Sequence, residues 1–197
     1  MTVIAVIAAG AMGANVGRKL VEAGNVVLTN LDGRSEATHK RAHEAGMIPV
    51  SWMDIIRKAD MILSIIPPRD ALSFAERVLA EFQATERTDK GSLVFADCNA
   101  VNIVTIKKVA ALFSQSPIIF LDACIIGHPP SENHVPTFYG SADGPDQQGL
   151  TLFKDVIGKS DIKVKILSGD GAGIGDASAL KMSYAASISL QICHGSH

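Results

Sequence analysis

The chain has 197 residues, 47% of them hydrophobic, with 18 Lys and Arg against 20 Asp and Glu for a formal charge of −2. At about 150 residues per domain this is one domain plus a fragment, long enough to bury roughly 70% of its unfolded surface without metal or disulfide, which excludes small stapled scaffolds. The charge balance lacks the basic excess of phosphate-backbone binders, and no apolar stretch approaches the length of a membrane span, about 18 residues, so neither nucleic acid nor a bilayer is an expected partner.

The opening MTVIAVIAAGAMGANVG has an apolar run but no basic segment ahead of it, so it predicts a first strand over residues 3–8 and not a signal peptide. Met12, Val16, Leu20 and Val21 then fall at helical spacing, and Gly24 stops that helix. A β-branched run over 26–31 follows. The polar segment RSEATHKRAHEAG predicts a second helix ending at Gly46, and Ser51 is placed to cap WMDIIRKA.

Near-continuous apolar runs over 61–66, 92–96 and 117–126 are what strands covered on both faces require, and the segments between them read as helices. Pro67 and Pro68 prevent the 61–66 run from continuing in a ladder. GHPPSENHVPT reads as a loop and FYGSADGPD as a strand with its turn; residues 147–157 predict a helix and 162–167 a last strand. Strands alternating with helices imply an α/β fold with an open, doubly wound, mostly parallel sheet. Cys98, Cys124 and Cys193 are odd in number and widely spaced, which suggests packed, reduced thiols in a cytoplasmic compartment.

The turn after the first strand carries the chemistry. In G-x-G-x-x-G register its positions are Ala8, Gly10 and Gly13, with Ala11 and Met12 between the two glycines. A pyrophosphate approaches only where side chains are absent and where a helix N-terminus offers amides and a positive dipole end. Ala8 stands where the first glycine is usual, and Met12 serves mainly helix packing with a side role in covering the cofactor. About 20 residues on, Asp32 is placed to take a ribose 2′-hydroxyl, whereas Arg34 and Ser35 can hold a 2′-phosphate. NADP is favoured, with NAD as the alternative.

VIAVIAAGAMGANVGRKLVEAG, SIIPP, ADCNAVN, FLDACIIGHPP and GAGIGDASALKMSYA together resemble the β-hydroxyacid dehydrogenase group, which includes 3-hydroxyisobutyrate and 6-phosphogluconate dehydrogenases, and most of all its 6-phosphogluconate-dehydrogenase-like branch. The resemblance implies a Rossmann-type fold over residues 1–170. It further implies that Ile66, Pro67 and Pro68 line the nicotinamide side with Asn99 beside them, and that Asp122 to His128 form the substrate loop. There Ile126 replaces a serine, Gly127 is kept and His128 replaces a second glycine. Recognition of a carboxylate through that serine is therefore lost. His128 is then either a donor to an acidic substrate or a solvated loop side chain, and Asp122 is read as capping backbone amides.

The same resemblance makes Lys181 the general acid/base. The small-residue stretch before it lets the helix approach closely, Ser178, Lys181 and Tyr184 share one helix face, and enclosure would lower the lysine pKa toward the working range of a base. Tyr184 stands where the group has asparagine, so substrate identity does not carry over. Residues 171–197 are expected to be the start of a helix leading into an all-helical domain, whose presence would bring a homodimer; without it the chain reads as truncated. The resulting expectation is an NAD(P)-dependent oxidoreductase acting on CH–OH groups, transferring hydride between a nicotinamide cofactor and a small hydroxy acid or related carbonyl compound, without a metal. The alternative is a module that binds NAD(P) without turnover; a flavin-dependent or cofactor-free protein on the same sheet is a third class.

Overall fold

A computed structural model of the chain describes residues 1–87 and 91–194, with side chains as far as residue 187. The described strands are β1 (Val3–Ile7), β2 (Val26–Thr29), β3 (Ile48–Pro49), β4 (Met61–Ser64), β5 (Val94–Asp97), β6 (Ile119–Ile126), β7 (Thr137–Ser141) and β8 (Lys163–Ile166). The helices are α1 (Ala11–Glu22), α2 (Glu36–Glu44), α3 (Trp52–Lys58), α4 (Ala71–Ala84), α5 (Ile103–Phe113), α6 (Gln147–Gly158) and α7 (Asp176–His194). All strands join one sheet in the order β3-β2-β1-β4-β5-β6-β7-β8. The chain winds outward from β1 through β2 to β3, then returns to β4 on the other side of β1. That reversal opens a crevice at the C-terminal ends of β1 and β4, where doubly wound sheets bind ligands.

The period-2 alternation of strand side chains sorts the apolar residues into two cores. On one face Val6, Leu63, Ala96 and Leu121 pack with Val16 and Leu20 of α1 and Phe153 of α6. On the other, Ala5, Ile62, Phe95 and Phe120 pack with Ile55 of α3, Val78 of α4 and Ile106 of α5. Phe113 lies 5.1 Å from Phe95 and 5.7 Å from Phe120, ring centre to ring centre. Burial on both sides is why these strands read as continuous apolar runs.

Several strand ends differ from the sequence expectation, each for a local reason. The 61–66 run leaves the ladder after Ser64 because the Ile66 amide donates to the Asn99 side chain at 2.7 Å. The 26–31 run stops at Thr29, where the Asn30 side chain turns to the Val50 carbonyl and to Asp32. The two-residue β3 gives no periodic signal of its own. β7 pairs antiparallel with β6, with Asp122 opposite Ser141, while β8 runs parallel to β7.

α7 starts inside this unit: Ala177 and Ser178 are fully buried, while Met182 and Tyr184 are exposed. The helix continues through His194. The Cys193 side chain and the rest of the HGSH tail lie outside the described residues. Cys98 and Cys124 are free and buried. Burial raises the Cys98 thiol well above its ordinary value and pushes Cys124 up to about 12, which suits packing and not reactivity. No described helix is long and apolar enough to cross a membrane.

Candidate nucleotide and lysine site

The crevice begins at the turn between β1 and α1. Gly10 is the N-cap of α1 in extended conformation, without a side-chain cap, and its carbonyl accepts the Ala14 amide at 2.9 Å. The amides of Ala11, Met12 and Gly13 therefore have no acceptor within the helix. A Cβ on Gly10 would meet no atom within 4 Å, so the space beside the turn at this residue is open. A Cβ on Gly13 would instead run into the Ala8 carbonyl oxygen. One glycine thus keeps room for a ligand and the other lets the turn fold back on itself. Arg41, a residue that sequence reasoning missed, donates from Nε to the Ala9 carbonyl at 3.0 Å and from Nη2 to Thr38 at 3.1 Å.

The second strand delivers Asp32, Arg34 and Ser35, all exposed, to the same end of the sheet. Asn30 Nδ2 donates to the Asp32 carboxylate at 2.8 Å and its Oδ1 accepts the Asp32 amide at 3.3 Å. Gly33, at φ +67°, turns the chain so that the Arg34 amide reaches the Leu31 carbonyl at 3.0 Å. Ser35 is the N-cap of α2 in extended conformation, and its hydroxyl lies 3.1 Å from that of Thr38. Polar contacts therefore run from Ser35 through Thr38 and Arg41 to the glycine turn.

Ile66 and Pro67 line a cleft of 360 Å³ together with Arg34, Arg69, Ser73, Phe74 and Arg77. Ile66 and Pro67, expected on the nicotinamide side, thus share this cleft with the loop that carries Arg34. Pro68 opens the exposed 3-10 turn that leads into α4 and is outside the cleft lining. The signal that could have found Arg69 and Arg77 is their position on the first turns after a strand end that faces the crevice.

Asn99 is buried, 4% exposed, and braces the loop without facing it. Its Oδ1 accepts the Ile66 amide at 2.7 Å and its Nδ2 donates to Ser64 at 2.9 Å, joining the ends of β4 and β5. Its own amide donates to Asp97 Oδ1 at 2.9 Å. The other Asp97 oxygen is buried with no hydrogen-bond partner. Burial pushes the Asp97 carboxyl up to about 7; the Asn99 amide opposes the shift and the Asp122 charge adds to it. Asp97 and Asp122 are register partners on neighbouring parallel strands.

The surroundings of Asp122, a candidate substrate contact, leave no path to a substrate, since it is fully buried with both oxygens engaged. Oδ2 accepts the Gly175 amide at 2.9 Å, the Ser178 amide at 3.1 Å and the Ser141 hydroxyl at 3.3 Å, while Oδ1 accepts the Ser178 hydroxyl at 2.7 Å. The carboxylate anchors the first turn of α7. Burial raises its pKa, and the Ser178, Gly175 and Ser141 hydrogen bonds oppose the shift.

From that anchor α7 rises along β6, and Lys181, half-buried, donates from Nζ to the Ile125 carbonyl at 2.6 Å. Ser178 is spent on Asp122, and Tyr184, 40% exposed, stands one turn beyond Lys181. Ile126 is half-buried at the end of β6. The exposed His128 donates its amide to His134 Nε2 at 3.0 Å, and the two rings meet edge to face at 5.5 Å. Gly127, at φ +121°, permits this closure, since a Cβ there would come within 2.8 Å of His134 Nε2. His134 is a further residue that sequence reasoning missed.

Residues 3–94 match the family model described as NADP oxidoreductase, coenzyme F420-dependent. That segment holds the glycine turn, the Arg34 loop and the Ile66 loop. A comparison with curated proteins found no match. Among solved structures, the chain is similar to a conserved protein of unknown function described as structurally similar to 3-hydroxyacid dehydrogenases, with a TM-score of 0.74 at 22% identity over 92% of this chain and 62% of that one. It is similar to the Mycobacterium tuberculosis 3-hydroxyisobutyrate dehydrogenase in a structure with L-serine, with a TM-score of 0.71 at 22% identity over 91% of this chain and 58% of that one. It is also similar to the imine reductase from Myxococcus stipitatus in complex with NADP+, with a TM-score of 0.70 at 16% identity over 99% of this chain and 63% of that one. The shared fold is Rossmann-like. The chain spans less than two thirds of the length of each of these structures.

Proposed function

We propose that this chain is the nucleotide-binding unit of an NAD(P)-dependent oxidoreductase that uses NADP and acts on the CH–OH group of a small hydroxy acid or on a related carbonyl compound. The observation that carries the reading is the α1 N-terminus, where three amides without helical acceptors follow Gly10, beside which the space is open. The residues present fit the cofactor. Ala11, Met12 and Gly13 would hold the pyrophosphate, with Arg34 and Ser35 at the adenosine ribose and Ile66 and Pro67 as apolar walls. When bound, the nicotinamide supplies the carbon that exchanges hydride with the substrate.

Lys181 is the proposed general acid/base, taking the substrate hydroxyl proton at Nζ. Its bond to the Ile125 carbonyl tethers the nitrogen at the end of β6, and the neutral amine, with one N–H spent on that carbonyl, keeps its lone pair for the substrate proton. Tyr184, one turn on, offers a phenolic hydroxyl for orientation. His128 and Ile126 are proposed as the substrate-side rim, while Asp122 serves only to hold the helix. In this reading residues 171–197 lead toward a further helical domain, through which a homodimer would form.

The test is titration of the chain with NADPH and NADH by nucleotide fluorescence, followed by a panel of hydroxy acids with absorbance of the reduced nicotinamide as readout. Lys181→Met should keep nucleotide affinity and lower turnover by about 10²- to 10⁴-fold. Full turnover in that variant rejects the lysine assignment. Nucleotide binding without turnover on any substrate favours the non-catalytic module.

A further inference from the structure

The 360 Å³ cleft beside Arg34 carries more positive charge than one ribose contact needs. Arg34 comes from the loop after β2, Arg69 from the 3-10 turn that leads into α4 and Arg77 from the second turn of α4, so three guanidinium groups from separate segments converge on one cleft. Asp70 is the acidic side chain among the lining residues. The chain as a whole is net negative at −2, so this convergence does not follow from general basicity.

The three cations are held differently. Arg77 lies over the Trp52 ring at 4.6 Å and pairs with Glu81 at 3.9 Å, and Phe74 packs 5.7 Å from the same tryptophan. Its plane is thereby fixed in advance, with Phe74 as apolar wall beside it. Arg69 pairs with its neighbour Asp70 at 3.6 Å, but the arginine side chain is 85% exposed, so water competes with that contact and a phosphate would displace it readily. Arg34 has no ion-pair partner among the described residues. Asp32, the group suited to a free ribose diol, has its carboxylate tied back by Asn30 at 2.8 Å, and Asn30 is itself tied to the Val50 carbonyl at 3.1 Å.

We infer that Arg69 and Arg77 form the second half of a clamp whose first half is Arg34 and Ser35, and that the two halves select a nucleotide bearing a phosphate monoester on its adenosine ribose over one with a free diol. This rests on the nucleotide-binding reading proposed above, and it adds two specificity residues on α4 and its approach. A planar guanidinium offers paired donors to phosphate oxygens, and a doubly charged monoester gains from cations on both sides in a way that a neutral diol does not. Phe74 and Pro67 would then enclose the base.

Calorimetry on the full chain with 2′,5′-ADP, 3′,5′-ADP and 5′-ADP tests the clamp without requiring turnover. The wild type should bind 2′,5′-ADP at least about tenfold more tightly than 5′-ADP, the scale of one charge-assisted hydrogen bond. Arg69→Ala and Arg77→Ala should each reduce that preference by about five- to tenfold while leaving 5′-ADP affinity within about twofold, and Arg77→Lys, which keeps a cation over Trp52, should recover part of it. Lys159→Ala, on the far side of the sheet, should change neither affinity. A 3′,5′-ADP affinity equal to that of 2′,5′-ADP supports a clamp that reads charge, and a lower one supports a clamp that reads the 2′ position. If both variants bind all three nucleotides with the wild-type preference, or lose all three equally, the clamp is wrong and the nucleotide site stands. Absence of binding by every nucleotide, NADPH included, overturns the site and the clamp together.

Discussion

Replacing Asp97 by asparagine should remove most of the pH dependence of stability between weakly acid and neutral solution. Asp97 is fully buried, one of its oxygens has no partner, and its carboxyl is pushed up to about 7 from an ordinary 3.8. Between those two values the folded protein holds a proton that the unfolded chain has released, so stability falls as pH rises through this window and levels off above about 7. Raising the carboxyl from 3.8 to about 7 corresponds to about 4 kcal/mol, a large share of the roughly 5–15 kcal/mol that holds a typical domain. The carboxamide introduced by Asp97→Asn keeps an acceptor for the Asn99 amide and adds no charge beside Asp122. Its NH₂ group sits where the unpartnered oxygen was, and any cost of about 1–3 kcal/mol for an unpaired donor is the same at every pH. Urea unfolding at about pH 4.5, 6 and 8 therefore reads the slope and not the offset. The wild type should lose several kcal/mol across the series and Asp97→Asn much less, with the residual slope assigned to Asp122. Parallel curves for the two proteins would show that Asp97 ionises normally and that its burial carries no penalty.

The other expectations follow from single contacts. Gly10→Val should leave the unfolding midpoint close to wild type, because nothing stands near the new side chain, yet abolish NADPH binding by filling the open space beside the turn. Gly13→Val should lower stability by several kcal/mol through collision with the Ala8 carbonyl, so a similar midpoint for the two valine variants would refute the division of roles between the glycines. Asp122→Ala should cost about 3–5 kcal/mol by orphaning two amides and two buried hydroxyls, and hydrogen exchange should show loss of protection concentrated in residues 175–181. Gly127→Ala should cost about 1–3 kcal/mol, since its φ of +121° is disfavoured with a Cβ and its new methyl would push on His134; a change under a few tenths in thermal unfolding would show that this loop relaxes freely.

The parts of this molecule that were legible in the sequence are those whose signal is repeated along a segment. β1, β4, β5 and β6 each bury side chains on both faces, so several consecutive residues report the same environment, and α1 and α6 repeat theirs every turn. The glycine turn was legible for a different reason, because close approach to a backbone or a ligand excludes side chains wherever it occurs. What escaped depends on one long side chain meeting another segment. Arg41 reaches 32 residues back to the Ala9 carbonyl, and Arg77 reaches Trp52 on the preceding helix; neither position is marked by its neighbours in sequence. The carboxylates show the limit most clearly. Asp97 and Asp122 both follow an apolar run and look alike in sequence, yet Asp122 accepts four hydrogen bonds from α7 and its surroundings while Asp97 keeps one oxygen bare. The difference is made by α7, which begins more than 50 residues after Asp122 and brings its amides to one acid and not to the other. Two side chains of the same type at the same height in the sheet thus divide into an anchor for the lysine helix and a neutral-range acid under the Asn99 brace. Only the packing of a distant helix assigns which is which.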